Sequence, residues 1–136
     1  RLALSMLHAV YDEAFGAVPT GSRLPGLPKT SFYGEFGWKE AAGRYGAALE
    51  TIANSRVYAE DTNTATAAPG YAIVNARVQA SQQLGGWKLR QFARLNNLFD
   101  RDYVGSVIVG DTNRRYYEAA PGRNWILGVS AQYQFQ

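Results

Sequence analysis

The chain has no cysteine and only one histidine and one methionine in 136 residues. Without a thiol, a disulfide scaffold, a thiolate zinc site and a cysteine nucleophile are all excluded, while the compartment stays open. Charge is also scarce, at 18% of residues, against roughly 25% in an ordinary soluble domain. No uncharged apolar run approaches the roughly 18 residues that a transmembrane helix needs. A disordered tail would show high charge and few aromatics, yet 46% of the chain is hydrophobic and 13% aromatic. Mean hydropathy is nevertheless -0.28, so apolar and uncharged polar residues must be finely mixed. That mixture favours a folded β protein.

The net charge of +3 arises from 14 basic and 11 acidic residues, with no dense basic cluster of the kind that binds nucleic acid, so no nucleic-acid partner is expected. A length of 136 residues alone suggests one small domain. The chain opens at Arg1 inside an apolar stretch with no secretory signal, and the natural N-terminus is expected elsewhere.

Six segments show period-two patterning or β-rich composition, over 1–11, 29–40, 44–58, 71–83, 87–99 and 123–135. Long, turn-rich connections follow the first, third and fifth. These hold Gly16 to Pro28, Asp61 to Gly70 and Asp100 to Gly122. Short ones, Ala41-Ala42-Gly43 and Leu84-Gly85-Gly86, follow the second and fourth. Long loops at one end and tight turns at the other predict an all-β, antiparallel up-and-down meander of about six strands.

Alternation then separates two faces. Ala72, Val74, Ala76, Val78 and Ala80 oppose Tyr71, Asn75, Arg77, Gln79 and Ser81, with Ile73 the apolar exception. Trp125, Leu127, Val129, Ala131, Tyr133 and Phe135 oppose Asn124, Gly128, Ser130, Gln132 and Gln134. A soluble sandwich or lipocalin would alternate in the same way, so the aromatic positions must discriminate. Trp38, Tyr45, Trp87, Tyr133 and Phe135 fall on the apolar face at the short-turn end, and Trp125 falls on that face at the other end. Such girdles suit a membrane barrel, whose interfaces favour rings with one wet edge. Gln91 and Asn97 on the apolar face, Phe92 on the polar face and His8 beside Leu2, Leu4, Met6 and Val10 depart from the pattern.

The stretch from Leu95 to Val104, containing Asn97-Leu98-Phe99-Asp100-Arg101-Asp102-Tyr103, resembles the Asn-Leu-Phe-Asp-x-x-Tyr signature near the C-terminus of TonB-dependent outer-membrane receptors. Gly105 to Val109, Arg115-Tyr116-Tyr117-Glu118, Pro121-Gly122-Arg123 and Leu24 to Lys29 extend the likeness, which is similar in flavour to the ferric-citrate branch. The resemblance implies a 22-stranded transmembrane barrel with a plugged lumen. At about 23 residues per strand and loop, such a barrel needs roughly 500 residues. Residues 1–136 are therefore expected to be its C-terminal part, without the plug, the TonB-contacting segment, the signal peptide and the first sixteen strands. The short turns would face the periplasm of a Gram-negative bacterium. Implied partners are outer-membrane lipid and lipopolysaccharide, the TonB complex through the missing N-terminal region, the barrel-assembly machinery, and a ferric chelate or other small ligand. No cofactor is implied.

Several residues carry candidate roles. Phe135 resembles the C-terminal aromatic assembly signal, although Gln136 follows it and a plain interfacial anchor would look the same. Asn97, Asp100 and Tyr103 suit a strand end and loop start. Asp100 with Asp102 falls short of the six to eight oxygens that calcium takes. Arg56, Arg77, Lys88, Arg90 and Arg94 on the polar face could attract an anionic ligand or pair with a plug or with Glu35 and Glu50. Arg114, Arg115, Tyr116 and Tyr117 in the longest loop are candidates for ligand recognition or for lipopolysaccharide phosphates. The lone His8 has no identifiable nucleophile partner, so a catalytic function is not expected; no phosphate loop or nucleophile elbow occurs either. A small closed barrel, lipocalin-like or a short outer-membrane protein, remains the alternative, although such barrels usually have about eight strands.

Overall fold

A computed structural model describes residues 1–64 and 67–135. Its elements are β1 (Leu2–Met6), β2 (Thr30–Lys39), β3 (Tyr45–Asn54), β4 (Tyr71–Leu84), β5 (Trp87–Asn96), β6 (Val104–Val107), β7 (Tyr117–Ala119) and β8 (Asn124–Tyr133). Strands β1-β2-β3-β4-β5-β8 form one six-stranded sheet in which every neighbouring pair is antiparallel. The fold is thus an all-β meander, with no helix among the described residues.

Register makes the two faces explicit. Phe36, Leu49 and Ala76 lie in one row across β2, β3 and β4, while Glu35, Glu50 and Asn75 lie in the next. Side chains alternate along a strand, so these rows point to opposite faces. Among the described residues no second layer covers the apolar face, where Leu2, Phe36 and Val129 are 81%, 76% and 74% exposed. The buried apolar residues Val18, Ala59, Ala68 and Ile73 instead sit in or beside the long loops.

Chain chemistry explains where strands stop. At the Leu84↔Trp87 hairpin, Gly85 holds a φ of 58°, the left-handed value suited to the first position of a two-residue turn. At the other short turn the backbone N–H of Glu40 donates to Tyr45 O at 3.0 Å, and Arg44 reaches Glu40 at 3.1 Å. Asn97 and Asp100 adopt φ of 51° and 54°, conformations that Asn and Asp tolerate better than most residues, and β5 ends before them.

Observed strands are shorter than several of the predicted segments. β1 stops at Met6, which puts His8 in a loop. β3 stops at Asn54, so Arg56 lies beyond the sheet and is exposed instead of lining the polar face. Ending β5 at Asn96 removes Asn97 from the apolar face. Phe135 follows the end of β8, though its ring stays 4.9 Å from that of Tyr133. The stretch from Asp100 to Gly122 holds a second sheet, the β6–β7 hairpin, that the period-two reading missed because its strands are only four and three residues long. Part of the loop over 61–70, at 65 and 66, lies outside the described residues, as does Gln136.

Phe92 is not an error of parity. It sits opposite Gly128, where a Cβ would come within 2.6 Å of Phe92 Cζ. The missing side chain leaves room for the ring to lie across the neighbouring strand.

Candidate functional site

On the polar face, five strands contribute to one hydrogen-bond network. Glu50 on β3 is its hub. Arg94 Nη2 donates to Glu50 Oε1 at 2.5 Å and Asn75 Nδ2 donates to the same oxygen at 2.7 Å. Tyr33 Oη lies 3.1 Å from Glu50 Oε2 and 3.2 Å from Glu35 Oε2. Glu35 and Glu50 are directly opposite each other, an arrangement that like charges disfavour. Arg94, and Arg1 at 3.8 Å from Glu35, offset that repulsion. Arg94 Nε continues to Asn96 Oδ1 at 2.7 Å, and Asn96 Nδ2 to Asn124 Oδ1 on β8 at 2.9 Å.

Toward the short turns the same face changes character. A concavity of about 1170 Å³ is lined by Lys39, Arg44, Arg77, Lys88, Arg90 and Arg94, together with neutral polar residues, and no carboxylate lines it. Arg44 pairs with Glu40, which holds its guanidinium pKa above the ordinary value, and Arg94 pairs with Glu50. Among the described residues, Lys39, Arg77, Lys88 and Arg90 make no ion pair. Three of the four predicted polar-face arginines therefore share this surface, and Arg56 does not.

The end opposite the short turns is built from the three long loops. Asn63, with a φ of 57°, accepts from Arg23 N at 2.7 Å and donates to Arg23 O at 2.9 Å. Gly26 N donates to Tyr58 O at 2.9 Å and Gly110 N to Ala59 O at 3.0 Å, so the middle loop ties the other two together. Tyr11 Oη donates to Asp61 Oδ1 at 2.7 Å; this bond, with burial and the carboxylate's charge, raises the phenol pKa.

The residues of the receptor-like signature lie at the root of the longest loop. Asn97 is 2% exposed; its side chain accepts from Arg101 N and donates to Arg101 O, while its own N–H donates to Asn75 Oδ1 at 2.9 Å. Asp100 accepts from Arg123 N at 2.7 Å across the loop's two ends. The Tyr103 ring is 4.5 Å from that of Tyr71, and burial raises its pKa. Further out, Arg114 occupies a left-handed turn position with its N–H on Asp111 O, and Arg115 N donates to Asp111 Oδ2. Tyr116 and Tyr117 lie with rings 6.1 Å apart, and Arg114, Arg115 and Tyr117 are exposed.

On the apolar face, Trp87 and Tyr133 are paired with ring centres 5.0 Å apart, Trp38 and Tyr45 stand near the other short turn, and Trp125 stands at the loop end of β8. Sequence parity could assign residues to faces but could not find the hub. That Glu50 meets Asn75 and Arg94 depends on inter-strand register, and the Asn63 clamp has no sequence pattern that marks it.

A single-layer antiparallel meander with an apolar face, a polar face, tight turns at one end and interlocked loops at the other is a section of β-barrel wall. No protein-family model matches the chain. Among solved structures, it is similar to the ferric citrate transporter FecA in its unliganded form, with a TM-score of 0.71 and 22% identity over 86% of this chain. The match takes in 18% of that protein's chain. The likeness shows the fold alone, an antiparallel β meander shared with part of that transporter.

Proposed function

We propose that residues 1–136 are the C-terminal part of the barrel of a TonB-dependent outer-membrane receptor, which takes up a scarce ligand such as a ferric siderophore in a Gram-negative bacterium. The observation that carries this reading is the uncovered apolar face, with Leu2, Phe36, Leu127 and Val129 all exposed, behind a hydrogen-bonded polar face. A soluble protein would hide such a surface; lipid covers it in a barrel. Trp38, Tyr45, Trp87, Trp125, Tyr133 and Phe135 then serve as interfacial girdles, with Phe135 as the assembly signal read by the barrel-assembly machinery. Arg114, Arg115, Tyr116 and Tyr117 meet ligand or lipopolysaccharide at the cell exterior. Asn97, Asp100 and Tyr103 anchor the loop that presents them. TonB acts through a segment outside these residues.

A small closed barrel is disfavoured, since β1 and β8 lie at opposite edges of the sheet and do not pair. The test is ferric-chelate uptake by cells that depend on the full-length gene product for iron. Uptake should require TonB, and uptake that survives removal of TonB overturns the reading. Within that assay, exchanging Arg114 and Arg115 for Gln should weaken ligand binding, and unchanged affinity removes the loop role.

A further inference from the structure

We propose that the Arg114-Arg115 pair is a proteolytic processing site for an endopeptidase with an acidic specificity pocket, and that Asp111 keeps the site latent. The site requires only an accessible loop tip, whatever ligand the chain takes up. Other basic residues of the long loops are built into contacts that a cut would have to undo. Arg23 sits in a β-bridge with Val10, and Arg56 precedes the bridge residue Val57. Arg101 has its N–H and its carbonyl bonded to the Asn97 side chain, and Arg123 N is held by Asp100. Lys29 adjoins the start of β2, and its carbonyl accepts from Leu7 N. By contrast, Thr112 to Arg115 are all exposed, in a tip closed off by the bond from Ile108 N to Tyr116 O. Loop tips of this kind are the preferred sites of nicking.

Asp111 holds the tip in a turn. Arg114 N donates to its carbonyl at 3.1 Å, Arg115 N to its Oδ2 at 2.8 Å and Asn113 N to its Oδ1 at 3.2 Å. Hydrolysis between the arginines breaks the bond from the Arg114 carbonyl carbon to Arg115 N, with the hydroxyl of water going to carbon and its proton to nitrogen. The N–H of that leaving amine is the one donated to Asp111, and Arg114 holds a left-handed φ of 59°. An endopeptidase reads the basic side chain in an acidic pocket and takes the backbone as an extended strand, which a left-handed residue does not present. The pair is therefore closed in the folded tip and opens when the Asp111 turn is released, so cleavage follows the population of the released form. A cut there leaves the wall in place. Gly110 N stays bonded to Ala59 O, β6 stays paired with β7, and β8 keeps its ladder with β5. What changes is the tip, where a new carboxylate appears on Arg114 and the two guanidinium groups lose their fixed spacing.

The test is limited trypsin digestion of the purified full-length polypeptide in detergent, with the fragments read by mass. The first cut within residues 1–136 should fall after Arg114 or Arg115, and the two pieces should elute together until denaturant separates them. D111A should raise the rate of that cut about tenfold or more, as loss of a hydrogen bond to a charged group demands, with the melting temperature unchanged. D111N, which keeps one acceptor oxygen, should fall between D111A and wild type, and R114Q/R115Q should abolish the cut. A first cut at another basic residue of these 136 overturns the site. Equal rates for D111A and wild type overturn the latch, as does a D111A protein that is cut first elsewhere, which marks a general loosening of the fold. Pieces that part without denaturant show that the cut opens the wall, and overturn the proposal of a processing site.

Discussion

The strand wall and the long-loop cluster are stabilised in different ways. In the wall, β2 to β5 and β8 carry continuous antiparallel ladders, yet their apolar residues are largely exposed. In the loop cluster regular structure is short, but it holds Val18, Ala59 and Ala68, which are buried, and the side-chain clamps at Asn63 and Asn97. Under the receptor reading proposed above, lipid covers the apolar face, and no protein core is needed there. Loops in water must bury something of their own and satisfy their own backbone groups. Under that reading the difference follows from the two environments.

The largest expected effect breaks the assignment of faces. Val129 lies midway along β8, on the apolar face opposite Gln91. Val129→Arg should cost about 2–4 kcal/mol of folding free energy in a bilayer, whereas Ser130→Arg, one residue on and lining the concavity, should be tolerated. Refolding into lipid vesicles with a urea titration measures both. Equal costs at the two positions would mean that the faces are not distinct.

Within the wall, Gly128→Ala should destabilise by about 1–3 kcal/mol through overpacking against Phe92. Combining it with Phe92→Leu should recover part of the loss, since residues in contact couple. A strictly additive pair would show that the ring does not lie over Gly128.

At the junction of the two regions, Asn97→Ala loses the two bonds to Arg101 and forces Ala into a left-handed φ. A cost of about 1–3 kcal/mol is expected for the unpaired buried groups. Asn97→Gly tolerates the φ and loses only the bonds, so it should fall between Ala and wild type. If Gly and Ala cost the same, backbone strain plays no part at this position.

These positions also show what could be read before folding. Period-two alternation placed Val129 and Ser130 on opposite faces, because that pattern is local. Phe92 looked like an exception, since nothing in β5 alone shows that Gly128 is its cross-strand neighbour. A β-rich composition that runs to 58 puts Arg56 on the wall, but β3 ends four residues earlier; composition does not show where a ladder stops. The Asn-Leu-Phe-Asp stretch pointed to a loop root through Asx chemistry, but Asn75 as the partner of Asn97 required the register of β4. Glu50 and Arg94 were both legible as polar-face residues, and their pairing spans 44 positions of sequence.

The smallest expected effect is confined to the loop cluster. Tyr11 donates to Asp61, linking the first long loop to the second, and its pKa is raised. A group whose folded pKa exceeds its unfolded value contributes stability that is complete below the unfolded pKa and is lost as pH rises through the folded one. For a phenol, the unfolded value is about 10, so the latch should hold at neutral pH and open only above that range. Tyr11→Phe should remove the alkaline opening and speed amide exchange at Tyr11 and Gly21, whose backbone bonds to Ser22 and Tyr11 lie in the same loop. Exchange in β3 and β4 should stay unchanged, because their ladders do not depend on this bond. If the substitution also accelerated exchange in those strands, the loop cluster and the wall would be one cooperative unit, and the difference between them would be geometric without being energetic.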